Sequence, residues 1–406
     1  MEDVIVEAPA KNPFRPGVGI RPPYLAGREA SLRRFDSMLR AAPEQPANMR
    51  LTGLRGVGKT VLLQEFADRA AEQGWVAAVL ELGPSHNTDA GIAAAVSGLA
   101  EQARLRVSRI ERVKAAIGGV MRGAGTLSVT WSDVTLAIDP AWAKPGTEGI
   151  AKTLFDLCEF AVGKGMNGVT LLLDEAQVIR DDRDRKGEHP LSILVSAVVA
   201  IQKQMVPLGM VLCGLPTLTG NLLKARSYTE RMFRAEEIGS LAHDEARRAL
   251  AEPLKDGPIR IDDSVVERVV DEVEGYPYFV QLWGAELWDT AFMAAAEQIS
   301  PAMFDVTSAE VYRRLDLEFY DPRISTLTPA EQQVLLDTAF VQSYPPLHAA
   351  DIKDVSDKSS GNINVLLGRM VESGVIYRVR MGQYDYTAPK FRQYLLRRAR
   401  RGGSRA

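Results

Sequence analysis

Residues 53–60 read GLRGVGKT, and the fold follows from them. The run fits G-x-x-x-x-G-K-[ST], in which glycines let the backbone bend around an anion, a lysine reaches the outer phosphates and a hydroxyl holds Mg²⁺. Gly53, Gly56 and Gly58 supply the bend, Lys59 the charge and Thr60 the hydroxyl, with Val57 and Val61 as flanking phosphate contacts. Upstream, Met49 and Leu51 belong to a short apolar run; downstream, Leu62, Leu63, Phe66, Ala67 and Ala70 recur at helical spacing until Gly74. The order is strand, loop, helix, which aims free N–H groups and the positive end of a helix dipole at a bound phosphate. A glycine-rich turn before an ordinary helix is the plain alternative.

A second motif gives the loop its counterpart. Gly168, Val169, Thr170, Leu171, Leu172 and Leu173 form a buried-strand run that ends in Asp174, Glu175, Ala176 and Gln177. Asp174 is placed to hold Mg²⁺ and Glu175 to orient and polarise an attacking water, because phosphoryl transfer needs mainly positioning and charge stabilisation. Read alone, the same acids could close a solvated strand.

Composition sets the bounds. The chain has 406 residues, 46% hydrophobic and 25% charged, which suits a globular protein with two or three cores. No apolar run reaches the roughly 18 residues of a membrane span, and Glu2, Asp3 and Glu7 do not suit a signal peptide, so a cytoplasmic location without membrane contact is expected. Cys158 and Cys213 sit in apolar segments and read as reduced core residues. His86, His189, His243 and His348 are too scattered for zinc. The net charge is −3, yet residues 321–406 hold 13 Lys and Arg against 8 Asp and Glu. The closing arginines, Arg392, Arg397, Arg398, Arg400, Arg401 and Arg405, form a tail that neutralises phosphates or stays solvated.

Four regions follow along the chain. Residues 1–28, rich in Pro and Gly, form an extended segment lying on the next domain. Residues 29–240 alternate helical patterns with buried strands at about 75–82, 168–173 and 208–213, which implies an α/β domain: a parallel sheet with helices on both faces and a ligand at its C-terminal edge. Within it, TLSVTWSDVTLAI at 126–138 alternates like a β-hairpin, either a packed lid or a contact arm. After residue 240 strands are expected to stop, and 244–252, 263–274, 277–297 and 307–320 read as helices of a small helical unit. Residues 321–406 differ again. Thr328, Pro329 and Glu331 make a capping box, a short helix is expected near 349–355, a third runs from Ser359 to Ser373, and VIYRVRMGQYDYT at 375–387 turns back as a hairpin. Three helices and a hairpin describe a winged helix.

Together, GLRGVGKT, LLLDEAQ, a further strand and a helical lid resemble the AAA+ P-loop ATPases. Within them the chain is most similar to initiator and origin-recognition ATPases and to the related STAND-type signalling NTPases. The resemblance covers nearly all of residues 20–400 and implies binding of ATP and ADP with Mg²⁺, and ATP hydrolysis with slow turnover. It places Tyr24, Leu25 and Gly27, within YLAGRE, near the adenine. It also implies a polar sensor at the end of the fourth core strand. Here Cys213, Gly214, Leu215 and Pro216 stand there, with Thr217 a weak substitute. An arginine reaching a neighbour's γ-phosphate is expected before the lid, among Arg226, Arg231 and Arg234. Arg231 is preferred, although a surface pair with Glu230 or Glu236 would explain it equally. GYPYFVQLWG at 275–284 resembles the glycine-x-proline element of STAND proteins and puts Pro277 near the nucleotide.

Two readings of function remain open. In one, the third helix of the winged helix, with Lys358, Ser360, Asn362, Asn364 and Arg369, enters the major groove of double-stranded DNA while Arg378 and Arg380 on the wing meet the backbone. ATP then lies between subunits of a nucleotide-dependent homo-oligomer. In the other, a STAND-like switch holds ADP when closed and recruits a protein partner when open, without DNA. A small-molecule kinase would leave lid and winged helix without a purpose.

Overall fold

In the computed structural model, residues 11–118, 146–181, 187–226 and 228–403 are described. The hairpin expected at 126–138 lies outside them. The chain forms two compact units: Arg28–Gly53 with Lys59–Ile238, and Met1–Gly27 with Leu54–Gly58 and Gly239–Ala406.

The first unit is a five-stranded parallel sheet between helices. Its elements run α1 (Glu29–Arg40), β1 (Ala47–Thr52), α2 (Lys59–Glu72), β2 (Trp75–Glu81), α3 (Asp89–Gly118), α4 (Thr147–Gly163), β3 (Gly168–Asp174), α5 (Pro190–Gln202), β4 (Leu208–Gly214), α6 (Thr217–Ala225), α7 (Thr229–Met232) and β5 (Arg234–Glu237). The strand order is β2-β3-β4-β1-β5, with every pairing parallel. All seven residues of β3 and of β4 are buried, as continuous apolar runs covered on both faces require. One polar pair is matched inside the unit. Asn48 on β1 and Gln202 on α5 exchange side-chain amide hydrogen bonds of 2.8 and 2.9 Å. Strand β5 was not legible, because Arg-Ala-Glu-Glu has no apolar alternation. Tertiary contacts hold it instead, since Glu236 is buried and accepts from Ser31 Oγ at 2.7 Å and Arg34 Nη1 at 2.6 Å on α1.

The second unit is mostly helical. It contains α8 (His243–Ala251), β6 (Arg260–Ile261), α9 (Asp263–Val273), α10 (Pro277–Met293), β7 (Gln298–Ile299), α11 (Pro301–Arg314), a π-helical turn (Leu315–Tyr320), α12 (Asp321–Ser325), α13 (Pro329–Thr338), β8 (Leu347–His348), α14 (Ala349–Val355), α15 (Ser360–Glu372), β9 (Ile376–Arg380), β10 (Gln383–Tyr386) and α16 (Phe391–Gly403). Strands do not stop at residue 240 as the sequence suggested. The two-residue strands β6 and β7 pair in parallel, too short to leave a period. Likewise β8 joins β9 and β10 in a three-stranded sheet. The expected helix at 307–320 starts earlier, at Pro301, and its last turns are π-helical.

Local rules account for the helix starts. Asp262 caps α9 by accepting from Ser264 N at 2.8 Å, and Val265, Val266, Val269, Val270 and Val273 line its buried face. The capping box of α13 is present: Thr328 N donates to Glu331 Oε2 at 2.8 Å and Glu331 N to Thr328 Oγ1 at 3.4 Å. The described part of the N-terminal segment packs on α10. Phe14 is buried where Gly284 leaves room for its ring, and Asn12 Nδ2 donates to Ala285 O at 3.0 Å.

Candidate functional site

The site lies at the C-terminal edge of the sheet. Strand β1 ends at Thr52, and Lys59 and Thr60 are the first residues of α2. Asp174 closes β3, one strand away across β4. Lys59 and Asp174 are buried, 7% and 5% exposed. Lys59 Nζ donates to the Gly53 carbonyl at 3.0 Å, and Thr60 Oγ1 donates to Asp174 Oδ2 at 2.7 Å. A hydroxyl and a carboxylate at that separation are hard oxygen donors suited to Mg²⁺, which takes one or two protein oxygens and fills its remaining positions with water and phosphate oxygens. The donor set therefore fits the ion.

Glu175 follows in a left-handed backbone conformation, φ 51° and ψ 31°, which costs a non-glycine residue roughly 1–2 kcal/mol. Its N–H donates to Asp174 Oδ1 at 2.8 Å. Its Oε2 accepts from Gln177 Nε2. Gln177 spans a gap, because its Oε1 accepts from Leu215 N at 2.9 Å just beyond β4. Sequence reasoning missed this role, although the signal was present as a long amide two residues after the acid. Where a polar sensor was sought, Cys213 lies buried beside Asp174. Burial first, then the charge of Asp174, pushes its thiol well above the usual range. Thr217 is an exposed residue at the start of α6.

The arginine candidates precede or open β5. Arg231 is exposed on α7. Glu236, one of its suggested partners, is occupied by Ser31 and Arg34. Arg234 donates to Gln45 Oε1 at 3.2 Å.

The second unit holds the tip of the glycine loop, Leu54–Gly58. Tyr276, the buried residue before α10, donates its hydroxyl to the Arg55 carbonyl. Burial pushes that hydroxyl up to about 12, so it stays a donor. A Cβ on Gly56, whose φ is +79°, would fall 2.1 Å from the Tyr276 hydroxyl, so only glycine fits. In a planar trans peptide C=O and N–H point opposite ways, so the Gly56 N–H points away from Tyr276 and is open to an acceptor. Pro277 opens α10 half-buried, and Tyr24 and Leu25 are half-buried.

Helix α15 buries Ile363, Leu366, Leu367 and Met370 and exposes Asn362, Asn364, Val365 and Arg369. Ser359 caps it, accepting from Asn362 N at 3.4 Å, so Ser360 is its first residue. Lys358 pairs with Asp357 at 3.3 Å. On β9, Arg378 and Arg380 are exposed on one face, and Arg378 Nη2 lies 3.3 Å from Tyr384 Oη. Part of the basic tail is held by intramolecular contacts, while Arg400 and Arg401 are exposed. It forms α16, where Arg392 donates to the carbonyls of Ala339 and Val341 at 2.9 Å and Arg397 and Arg398 pair with Asp316 and Asp321.

A parallel sheet in this strand order, with an anion loop after β1 and a carboxylate pair after β3, defines a P-loop nucleoside triphosphatase fold of the AAA+ type. Residues 24–206 match the AAA ATPase domain family, and residues 317–395 match a domain of unknown function, DUF8462. No curated protein matches the sequence. Among solved structures, the Walker-type ATPase of Pyrococcus abyssi is similar at 16% identity, with a TM-score of 0.63 over 94% of this chain and 98% of that one. The ORC2 protein of Aeropyrum pernix, in ADPNP–ADP complexes, is similar at 12% identity, with a TM-score of 0.54 over 94% and 96%. At these identities the likeness is one of fold.

Proposed function

We propose that this protein binds and hydrolyses ATP and couples its nucleotide state to binding of double-stranded DNA through residues 321–406, folded as a winged helix. The observation that carries the first half is the Thr60–Asp174 contact beside Lys59. Lys59 would neutralise the outer phosphates, Thr60 and Asp174 would hold Mg²⁺, and the loop from Gly53 through Gly56, Val57 and Gly58 to Val61 would cradle the anion with its amides. Bound there, Mg²⁺ would supply further neutralisation of the phosphate charge. Glu175 would accept a proton from water as the water oxygen bonds to the γ-phosphorus and the bridging P–O bond to ADP breaks. We assign the base to Tyr24, Leu25 and Pro277, and the arginine completing a neighbour's site in an oligomer to Arg231. The A. pernix ORC2 protein, of similar fold, was solved with ADPNP and ADP, which supports the nucleotide assignment.

The DNA half is supported by α15, whose exposed face offers two Asn amides and Arg369 over a fully apolar inner face. The expected result is duplex binding that ATP strengthens and salt weakens, read by fluorescence anisotropy with wild type and Arg369→Ala. Nucleotide-dependent oligomerisation without duplex binding at low salt would overturn this half. A second reading, docking of a protein partner in a STAND-like switch, draws support from exposed apolar groups: Val365 on α15 is 55% exposed and Met381, between β9 and β10, 95%.

A further inference from the structure

We infer that Gln177 is the positioning residue for Glu175, tying the water-activating carboxylate to the end of β4. The inference rests on the assignment of Glu175 as the proton acceptor. Three contacts meet at this one residue, two of them at its side chain. Its Nε2 donates to Glu175 Oε2, its Oε1 accepts from Leu215 N at 2.9 Å, and its main-chain carbonyl accepts from Asn221 Nδ2 on α6 at 3.1 Å. Both ends of the amide are therefore used, and its orientation is fixed by the opposite polarity of its two partners. The bond to Oε2 leaves Oε1 as the carboxylate oxygen for water. It also holds a side chain whose backbone is left-handed and would otherwise rotate freely. Gly214, the last residue of β4, is part of the device. A Cβ there would fall 2.3 Å from Gln177 Oε1, so the side chain reaches Leu215 only because position 214 carries none. The strand end where a polar sensor was expected thus receives its polar group from the acidic motif itself.

The test uses full-length protein, ATP and Mg²⁺. Gln177→Ala is expected to lower kcat about tenfold with nucleotide affinity unchanged, since the base persists but loses its orientation. Gly214→Ala should reproduce the Gln177→Ala loss by displacing the side chain, and the double variant should be no slower than either, because both remove one interaction. Three results overturn the inference while leaving Glu175 in place: kcat within about twofold of the parent in Gln177→Ala, kcat and affinity falling together, or additive losses in the double variant. Glu175→Gln is the separate control. Parental turnover in that variant would remove the base assignment itself.

Discussion

Thr60 Oγ1 and Asp174 Oδ2 stand 2.7 Å apart, although 114 residues separate them in sequence. The distance is set by the sheet, since α2 begins one loop after β1, β3 ends in Asp174 and only β4 lies between. Two hard oxygens held this way, with Lys59 buried beside them, are suited to an anion and a cation together. Lys59→Ala should therefore weaken ATP binding, in titration calorimetry, by about 1.5–3 kcal/mol, the usual worth of a hydrogen bond to a charged group. Thr60→Ala should lose the dependence of that affinity on Mg²⁺.

Glu175→Gln preserves volume and hydrogen bonding but cannot accept a proton. Nucleotide affinity should be unchanged and single-turnover hydrolysis should fall roughly 10²–10⁴-fold, the usual contribution of a general base. A loss confined to affinity would instead make Glu175 a binding group.

Chemistry that depends on neighbours in sequence was legible, and chemistry that depends on neighbours in space was not. GLRGVGKT and LLLDEAQ each carry their geometry locally, so Lys59, Thr60, Asp174 and Glu175 could be read as one site from strand, loop and helix periodicity. Strand β5 could not, because a partner on α1 compensates its charge. Gln177 was hidden for the same reason, since its value lies in reaching Leu215. The arginines of α16 looked like a phosphate-binding tail because composition does not reveal that Asp316 and Asp321 precede them by about eighty residues.

Tyr276 holds the Arg55–Gly56 peptide by its carbonyl. Tyr276→Phe keeps the ring contacts with Phe279 and Phe319 and removes only the donor, leaving a carbonyl without its partner. The expected cost is about 1–3 kcal/mol in urea unfolding if the carbonyl stays buried. ATP affinity should fall in parallel if the orientation of the Gly56 N–H contributes to phosphate binding. An unchanged affinity with reduced stability would confine Tyr276 to a structural role.

Asp316 is 4% exposed and accepts from Arg397 on α16, with Arg401 3.4 Å away. Asp316→Ala strands part of the Arg397 guanidinium, which keeps some access to water at 32% exposed. The destabilisation should be about 1–3 kcal/mol, below the full cost of an uncompensated buried charge, and α16 should lose amide hydrogen-exchange protection before the rest of the second unit.

The exposed face of α15 separates two kinds of contact, and substitutions there should separate them too. Asn364 offers an amide suited to a base edge, so Asn364→Ala should cost about 1–3 kcal/mol on a preferred site and little on unrelated duplex. Arg380, exposed on β9, is suited to phosphate; Arg380→Ala should weaken binding evenly across sequences and reduce the slope of log affinity against log salt by about one. Anisotropy titrations at several salt concentrations read both quantities. If instead Met381→Ser abolishes association with a protein partner and neither polar substitution changes duplex binding, α15 and the β9–β10 turn form a protein-docking surface.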